Sequence, residues 1–332
     1  MKQKNVLLLC GGGSAEHEIS LRSVKFYEEN LVQIPSFNTI KIEIDKQGQW
    51  VDDAGKRYLL DNKRYLRAFE QDGDPGIKVD VAIPCIHGSP GETGDLQSYF
   101  EMIGLPYFGC NSETSKMCFN KITTKMWATA LGVANTPYIF VSENDDTSFQ
   151  KILDFQKEHG DIVIKASNQG SSVGCYIVSK DKNPKQEIND AFTYSPFVLI
   201  EKRMHPRELE VSVYEFDGKL QVSYPGEIVT PSQTFYTYDE KYSSQSQSKT
   251  FIKAENVTSE QVQTITDYAT KLYYGLKIRH LSRIDFFLDK GTIYLNEINT
   301  FPGSTSISMF PKMLEANGHS FKEYLEQHIS NL

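Results

Sequence analysis

The chain has 332 residues, of which 39% are hydrophobic and 23% charged, enough for a sizeable core in two or three structural units. Its formal net charge of -8 argues against a nucleic-acid surface, which carries a basic patch. The longest apolar run near the start, Val6 to Cys10, is too short for a spanning helix or a signal-peptide core, so a cytoplasmic protein with no membrane attachment is expected.

In chain order, Asn5 to Cys10 predicts a short strand running into Gly11-Gly12-Gly13-Ser14. Ser20 is expected to cap a helix whose Val24, Tyr27 and Leu31 fall at helical spacing. This resembles the opening of a nucleotide-binding α/β unit, yet the dinucleotide fingerprint is absent, because His17 or a near neighbour stands where the third glycine belongs. A second strand, Val79 to Pro84, leads into His87-Gly88-Ser89-Pro90-Gly91-Glu92-Thr93-Gly94, and loops at the carboxyl ends of parallel strands are where such sheets place ligands. Leu96 to Ile103 reads as a helix, and the polar run Asn111 to Lys116 as a boundary. Five cysteines, Cys10, Cys85, Cys110, Cys118 and Cys175, lack paired metal spacing and read as reduced, mostly buried thiols.

From Lys121 the pattern becomes helix, strand, glycine loop, strand, which predicts a small separate α+β unit with an exposed linker at Glu143 to Ser148. Strands Asp161 to Lys165 and Gly174 to Val178 bracket Ser167-Asn168-Gln169-Gly170-Ser171-Ser172. Backbone N–H groups, hydroxyls and Lys165 there can serve phosphate oxygens; it is not a Walker loop, and a plain flexible hairpin has the same composition. The strand Val198 to Met204 contains Glu201 and Lys202, a carboxylate and a backbone edge that could meet an adenine amino group. Glu208 and Glu210 then face one way, towards ribose hydroxyls or towards solvent. Phe235 to Thr250, with Tyr236, Tyr238, Lys241 and Tyr242, reads as a mobile loop with the makings of a lid.

Near the end, Ile284 to Leu288 and Thr292 to Ile298 read as strands around Asp289-Lys290-Gly291, a hairpin signal. A three-residue loop, with Gly291 left-handed after a type I turn, would set Arg283 opposite Glu297 and Asp285 opposite Leu295. Arg283, Asp285, Glu297 and Asn299 would then share one face. A two-residue loop would pair Asp285 with Asn296 and split the set. Carboxylates so close on one face repel unless a cation lies between them, and hard oxygen donors suit magnesium, which is commonly held together with substrate phosphates. A solvated hairpin end with an Arg283–Glu297 pair would have the same sequence.

Taken in order, His87-Gly88-x-x-Gly91-Glu92-x-Gly94, Lys165-x-Ser167-x-x-Gly170-Ser171-Ser172-Val173-Gly174, Glu201-Lys202, Arg283-x-Asp285 and Asn296-Glu297-Ile298-Asn299-Thr300-x-Pro302-Gly303 resemble the D-alanine:D-alanine ligases of the ATP-grasp superfamily, nearly end to end. The resemblance implies mixed α/β and α+β architecture: a Rossmann-like parallel-sheet substrate domain over 1–115, a small central α+β lid domain over 116–200 and a C-terminal α+β catalytic domain over 201–332. It implies ATP-dependent joining of two D-alanine molecules through an acyl phosphate, for a peptidoglycan precursor, commonly by a homodimer.

The site residues implied by the resemblance can be laid on these positions. Lys121, Lys165, Ser172 and Lys241 would serve phosphates, Glu201, Lys202 and Met204 the adenine, and Glu208 the ribose. Asp285, Glu297 and Asn299 would hold two magnesium ions, for which manganese may substitute. Glu18 would take the first substrate's ammonium, with Ser171 and Tyr242 beside it, and His87 would lie near its carboxylate. Ser308 and Met309 would capture the second substrate's carboxylate, and Arg283 and the Gly303 N–H would stabilise the oxyanion. Ala166, Thr93 and Arg203-Met204 depart from the family's usual proline, aspartate and aromatic-leucine pair, which leaves the detail of the adenine pocket open. Another ATP-grasp carboxylate-amine ligase is the alternative, and a dehydrogenase using the Gly11 to Gly13 turn with NAD a remote one.

Overall fold

The computed structural model describes residues 3–69, 71, 73–230 and 248–332. The stretch of the expected lid that carries Tyr236, Tyr238, Lys241 and Tyr242 lies outside the described residues. Three sheets organise the rest.

In the first sheet, strand Lys4–Gly11 lies between Phe37–Ile44 and Val81–Pro84 and runs parallel to both. Val6 to Leu9 are fully buried because apolar groups cover both faces, the reason this strand reads as a continuous apolar run. Val6, Leu8 and Cys10 pack with Val24, Tyr27 and Leu31 of helix His17–Leu31, while Leu7 and Leu9 pack with Ile42, Leu96 and Phe100. The parallel part is only these three strands; four short strands from Trp50–Val51 to Ile77–Lys78 extend it as an antiparallel meander.

The second sheet is antiparallel, with Ile162–Ala166 between Cys175–Val178 and Val198–Lys202 and with Tyr138–Val141 at the far edge. The third is built on the ten-residue strand Arg207–Phe216 and the hairpin Leu281–Asp289, Thr292–Asn299. Tyr214, Leu281, Phe310 and Leu314 share a core with Val6 and Tyr27, so the first and third sheets are joined by packing rather than by a linker.

Local expectations change in three places. Ser20 is the fourth residue of helix His17–Leu31, not its cap; it bonds back to the Glu16 carbonyl. The polar run Asn111 to Lys116 is helical rather than a loop: Asn111 accepts the Thr114 N–H and caps helix Ser112–Phe119. Asp145, in the expected linker Glu143 to Ser148, likewise caps helix Asp146–His159. All five cysteines are free thiols, four of them buried.

His280 shows what the joint between the units demands. It sits at a left-handed φ of 62°, stacks on Phe108 at 5.1 Å between centroids and accepts the Gly109 N–H through Nδ1 at 2.8 Å. Burial pushes its pKa down to about 3, helped by His328 and Arg279, whereas an unfolded-chain histidine titrates near 6.5. The unfolded state therefore binds the proton first as pH falls, and stability contributed by the neutral ring is lost between about pH 6.5 and 3. The urea midpoint should fall between pH 7 and pH 4, and less steeply in His280→Asn, since asparagine tolerates left-handed backbone. Equal slopes for the two proteins would remove His280 from this account.

Candidate active site

Strands Leu281–Asp289 and Thr292–Asn299 are joined by Lys290 and Gly291 alone, with φ of 49° and 88°. Both positive values make this a two-residue turn of the primed type whose twist suits a hairpin. By itself that loop would pair Asp285 with Asn296 and split the set. Instead the register slips by one between Asp285 and Phe286: Phe286 faces Leu295, Asp285 faces Glu297 and Arg283 faces Asn299. Asn296 is the extra residue of a β-bulge. The four polar residues reach one face by a turn and a bulge, not by the three-residue loop and the pairing expected.

On that face Arg283 donates through Nε to Asp285 Oδ1 at 2.8 Å and through Nη2 to Asp285 Oδ2 at 2.7 Å. Its Nε also lies 3.2 Å from Glu210 Oε2, and Glu210 is the residue paired with Asp285 on the neighbouring strand. These carboxylates hold the buried guanidinium's pKa well above its ordinary value against the opposing effect of burial. Glu210, which could have been a solvated partner of Glu208, is therefore a buried counter-ion. Asn299 Nδ2 donates to Asp285 Oδ2 at 3.1 Å. Lys121 Nζ lies 3.8 Å from Glu297 Oε2 and donates to the Gln169 carbonyl at 2.7 Å.

A cavity of about 520 Å³ lies against this wall. Its lining includes Glu16, His87, Lys121, Ser171, Arg283, Glu297, Asn299, Gly303, Ser308 and Met309. A narrower cleft beside it holds Lys165, Ser172, Glu208 and Asp285, and a third of about 350 Å³ holds Glu201, Lys202, Met204, Glu208 and Lys165. Glu208 and Lys165 belong to both of these clefts, which run together along one seam.

Glu18 is not in any of these clefts. Its side chain is 59% exposed, 3.6 Å from Lys46. Of the two glutamates at this helix start, the one in the cavity is Glu16, whose Oε1 accepts the Ser171 hydroxyl at 2.6 Å. Two residues apart on a helix point to nearly opposite sides, so only one of this pair can face inward. The signal was in the chain: Glu16, Ser20, Val24, Tyr27 and Leu31 fall on one stripe, and Glu18 is off it. A Cβ at Gly170 would stand 2.8 Å from Glu16 Oε2, so the loop needs glycine there. Ser171 and Ser172 hold φ of 49° and 61°, a left-handed and therefore strained backbone.

His87 is buried, its Nε2 2.8 Å from the Ser23 hydroxyl, and Ser23 also accepts the Ser304 N–H at 3.4 Å, tying His87 to the loop that carries Gly303. Burial lowers its pKa and favours the neutral ring. Ser308 precedes helix Met309–Ala316, and its hydroxyl accepts the Thr305 N–H at 3.0 Å. Lys165 and Glu201 line the third cleft together and meet each other at 2.5 Å. Arg203, at the departure from the usual aromatic, lies beside Asp161 at 3.6 Å.

Two family models divide the chain between them: D-ala D-ala ligase N-terminus over residues 5–110 and D-ala D-ala ligase C-terminus over residues 127–330. The chain belongs to the D-alanine:D-alanine ligase family. A D-alanine–D-alanine ligase of Shewanella frigidimarina is 52% identical over 326 residues, 98% of this chain and 97% of that protein. D-alanyl-alanine synthetase A of Vibrio cholerae superposes with a TM-score of 0.93 at 48% identity, covering 100% of this chain and 98% of that one. The VanG D-Ala:D-Ser ligase of Enterococcus faecalis follows the same fold at 27% identity and a TM-score of 0.86, with 99% of both chains covered. Family membership fixes the ATP-grasp fold and sets aside the NAD-dependent dehydrogenase reading of the Gly11 to Gly13 turn.

Sequence reasoning in this ligase fold passed over Glu92, which accepts the Gly88 N–H at 2.8 Å and lines the cavity. Burial, and then the nearby Glu16 charge, push its pKa up to about 8 from 4.5. Between those values the native protein keeps a proton that the unfolded chain has lost, so stability falls as pH rises from about 5 to 8. Glu92→Gln should flatten that decline in a thermal-melting series across the same range; an unchanged slope would show that Glu92 ionises normally.

Proposed function

We propose that this chain joins two D-alanine molecules at the expense of ATP, giving D-alanyl-D-alanine, ADP and phosphate for a peptidoglycan precursor. The observation that carries the reading is the meeting of Glu16, Ser171, Arg283 and the Gly303 loop around one cavity beside the phosphate-suited clefts. A carboxylate is too poor an electrophile to form an amide directly. Phosphorylation of the first D-alanine by ATP gives an acyl phosphate, and attack by the second amine gives a tetrahedral intermediate that expels phosphate.

Glu16, in place of Glu18, receives the first substrate's ammonium, and neutral His87 lies near its carboxylate. The Ser308 hydroxyl and the Met309 N–H take the second substrate's carboxylate at a helix N-terminus, where backbone donors are unpaired. Arg283, its plane fixed by Asp285, and the Gly303 N–H face the developing oxyanion; losing one such donor costs about 2.7 to 4 kcal/mol of barrier. Lys121, Lys165 and Ser172 serve the phosphates, Glu201, Lys202 and Met204 the adenine, and Glu208 the ribose. Lys241 and Tyr242, outside the described residues, complete the reading as a phosphate ligand and a partner of Ser171. Tyr242 favours an amine over a hydroxyl nucleophile.

Asp285 and Glu297 stand directly opposed, and the Asn299 amide spends its nitrogen on Asp285, which leaves its oxygen as the third hard donor. The set fits magnesium or manganese: Asp285, Glu297 and Asn299 would hold two such ions, which would supply positive charge to offset the charge developing on the transferred group. In this reading residues 1–115 carry the first substrate, 116–200 close over the nucleotide and 201–332 form the catalytic wall. A cytoplasmic homodimer is the expected form; no described helix is long and apolar enough to cross a membrane.

Phosphate release from ATP should be strongest with D-alanine when compared with L-alanine, D-serine and D-lactate. Release with L-alanine alone, or without any amino acid, would sink the reading. Glu297→Gln should abolish turnover while leaving the circular dichroism spectrum intact. Glu16→Gln should lower kcat/KM for the first D-alanine by about 30-fold or more, the usual scale for truncating a buried charge partner, and Glu18→Gln by no more than about twofold, as expected for an exposed pair.

A further inference from the structure

Lys125 is a lysine with only 1% of its surface exposed, and no role above uses it. Its ammonium lies 2.6 Å from Glu201 Oε1 and donates to Thr136 Oγ1 at 3.0 Å; the Thr136 hydroxyl donates in turn to the same Glu201 oxygen at 2.5 Å. The other oxygen, Oε2, is held by Lys165 at 2.5 Å. The Tyr138 ring lies 5.4 Å from the Lys125 ammonium. Two lysine side chains therefore share one buried carboxylate, one on each oxygen.

Two cations on one carboxylate are less well matched than one cation and one anion each, so an incoming anion can draw one of the lysines away. The two lysines are not equivalent in this respect. Lys165 lines both the narrow cleft and the third cleft, whereas Lys125 lines neither and is walled in by Thr136, Tyr138 and Glu201. Only Lys165 can leave the carboxylate for an incoming phosphate. If it leaves, Glu201 stays ionised and in place only because Lys125 remains.

We propose that Lys125, through Thr136 and Glu201, is the positioning residue for recognition of the nucleotide base. It holds Glu201 Oε1 while Lys165 passes from Oε2 to a phosphate, and the freed Oε2 accepts the exocyclic amino group of adenine. After the exchange each buried charge still has a partner: Lys125 keeps Glu201, and Lys165 has the phosphate. The proposal rests on the ATP reading of these clefts and deepens it, because it names what fixes the base preference.

The test compares kcat/KM for ATP with that for purine riboside triphosphate, which lacks the 6-amino group, at saturating D-alanine. The unaltered protein should prefer ATP by about 10-fold to 100-fold, the scale of one hydrogen bond to a charged group. Absence of that preference would refute the adenine role of Glu201 itself. In Lys125→Met, ATP should lose at least 10-fold and the preference should shrink to within about threefold, while KM for D-alanine stays unchanged. Equal losses for both nucleotides, with the preference intact, would overturn the role of Lys125 and leave the ATP reading standing. Should Lys125→Met not fold, the nearly isosteric Thr136→Val removes the bridging hydroxyl, and the preference should fall by about threefold to 10-fold. An unchanged preference there overturns the proposal as well.

Discussion

The site depends on one electrostatic constraint: the buried carboxylates of Glu210 and Asp285 share the buried Arg283 guanidinium between them, and each side of that contact offsets the cost of burying the other. That mutual requirement fixes the plane of the guanidinium, and it brings Glu297 and Asn299 to the same patch through the register of the hairpin. The Asn296 bulge is the backbone device that permits it. Without the bulge, a two-residue turn would send Glu297 and Asn299 to the opposite, apolar face, among Ile284, Phe286 and Leu295.

Around this wall the other units are held by contacts that double as chemistry. Ser171, from the loop between strands Ile162–Ala166 and Cys175–Val178, reaches Glu16 at the mouth of the first helix. Ser23, one turn after Ser20 in that helix, joins His87 to the loop after the final hairpin. Small residues make these approaches possible: glycine at 170 admits the Glu16 carboxylate, and the loop conformations at Ser171 and Ser172 are kept by the contacts they make. The same geometry that closes the units on each other therefore assembles the cavity.

Much of the architecture is legible in the chain. Apolar runs and breaks locate Lys4–Gly11, Ile162–Ala166, Val198–Lys202 and the final hairpin to within a residue or two or three, because strands buried on one or both faces must be apolar in a fixed rhythm. Local polar residues mislead where they have two uses. Ser20 has the chemistry of a cap but lies inside a helix, and Asn111 has the look of a linker but caps one, because both offer the same hydrogen bonds in either setting.

The sequence by itself determined the ordered motifs, hence the family, the ATP-grasp class and the identity of most groups that line the clefts, since residue types and spacing are set by chemistry common to such sites. Only the tertiary structure decided which of Glu16 and Glu18 faces the cavity, how the bulge repairs the register of Asp285 and Glu297, and that Lys125 is buried against Glu201. Each of those depends on where an element is rotated or slipped against a partner far away in the chain. A side chain's direction follows from packing across that distance, and neighbours in sequence do not carry it.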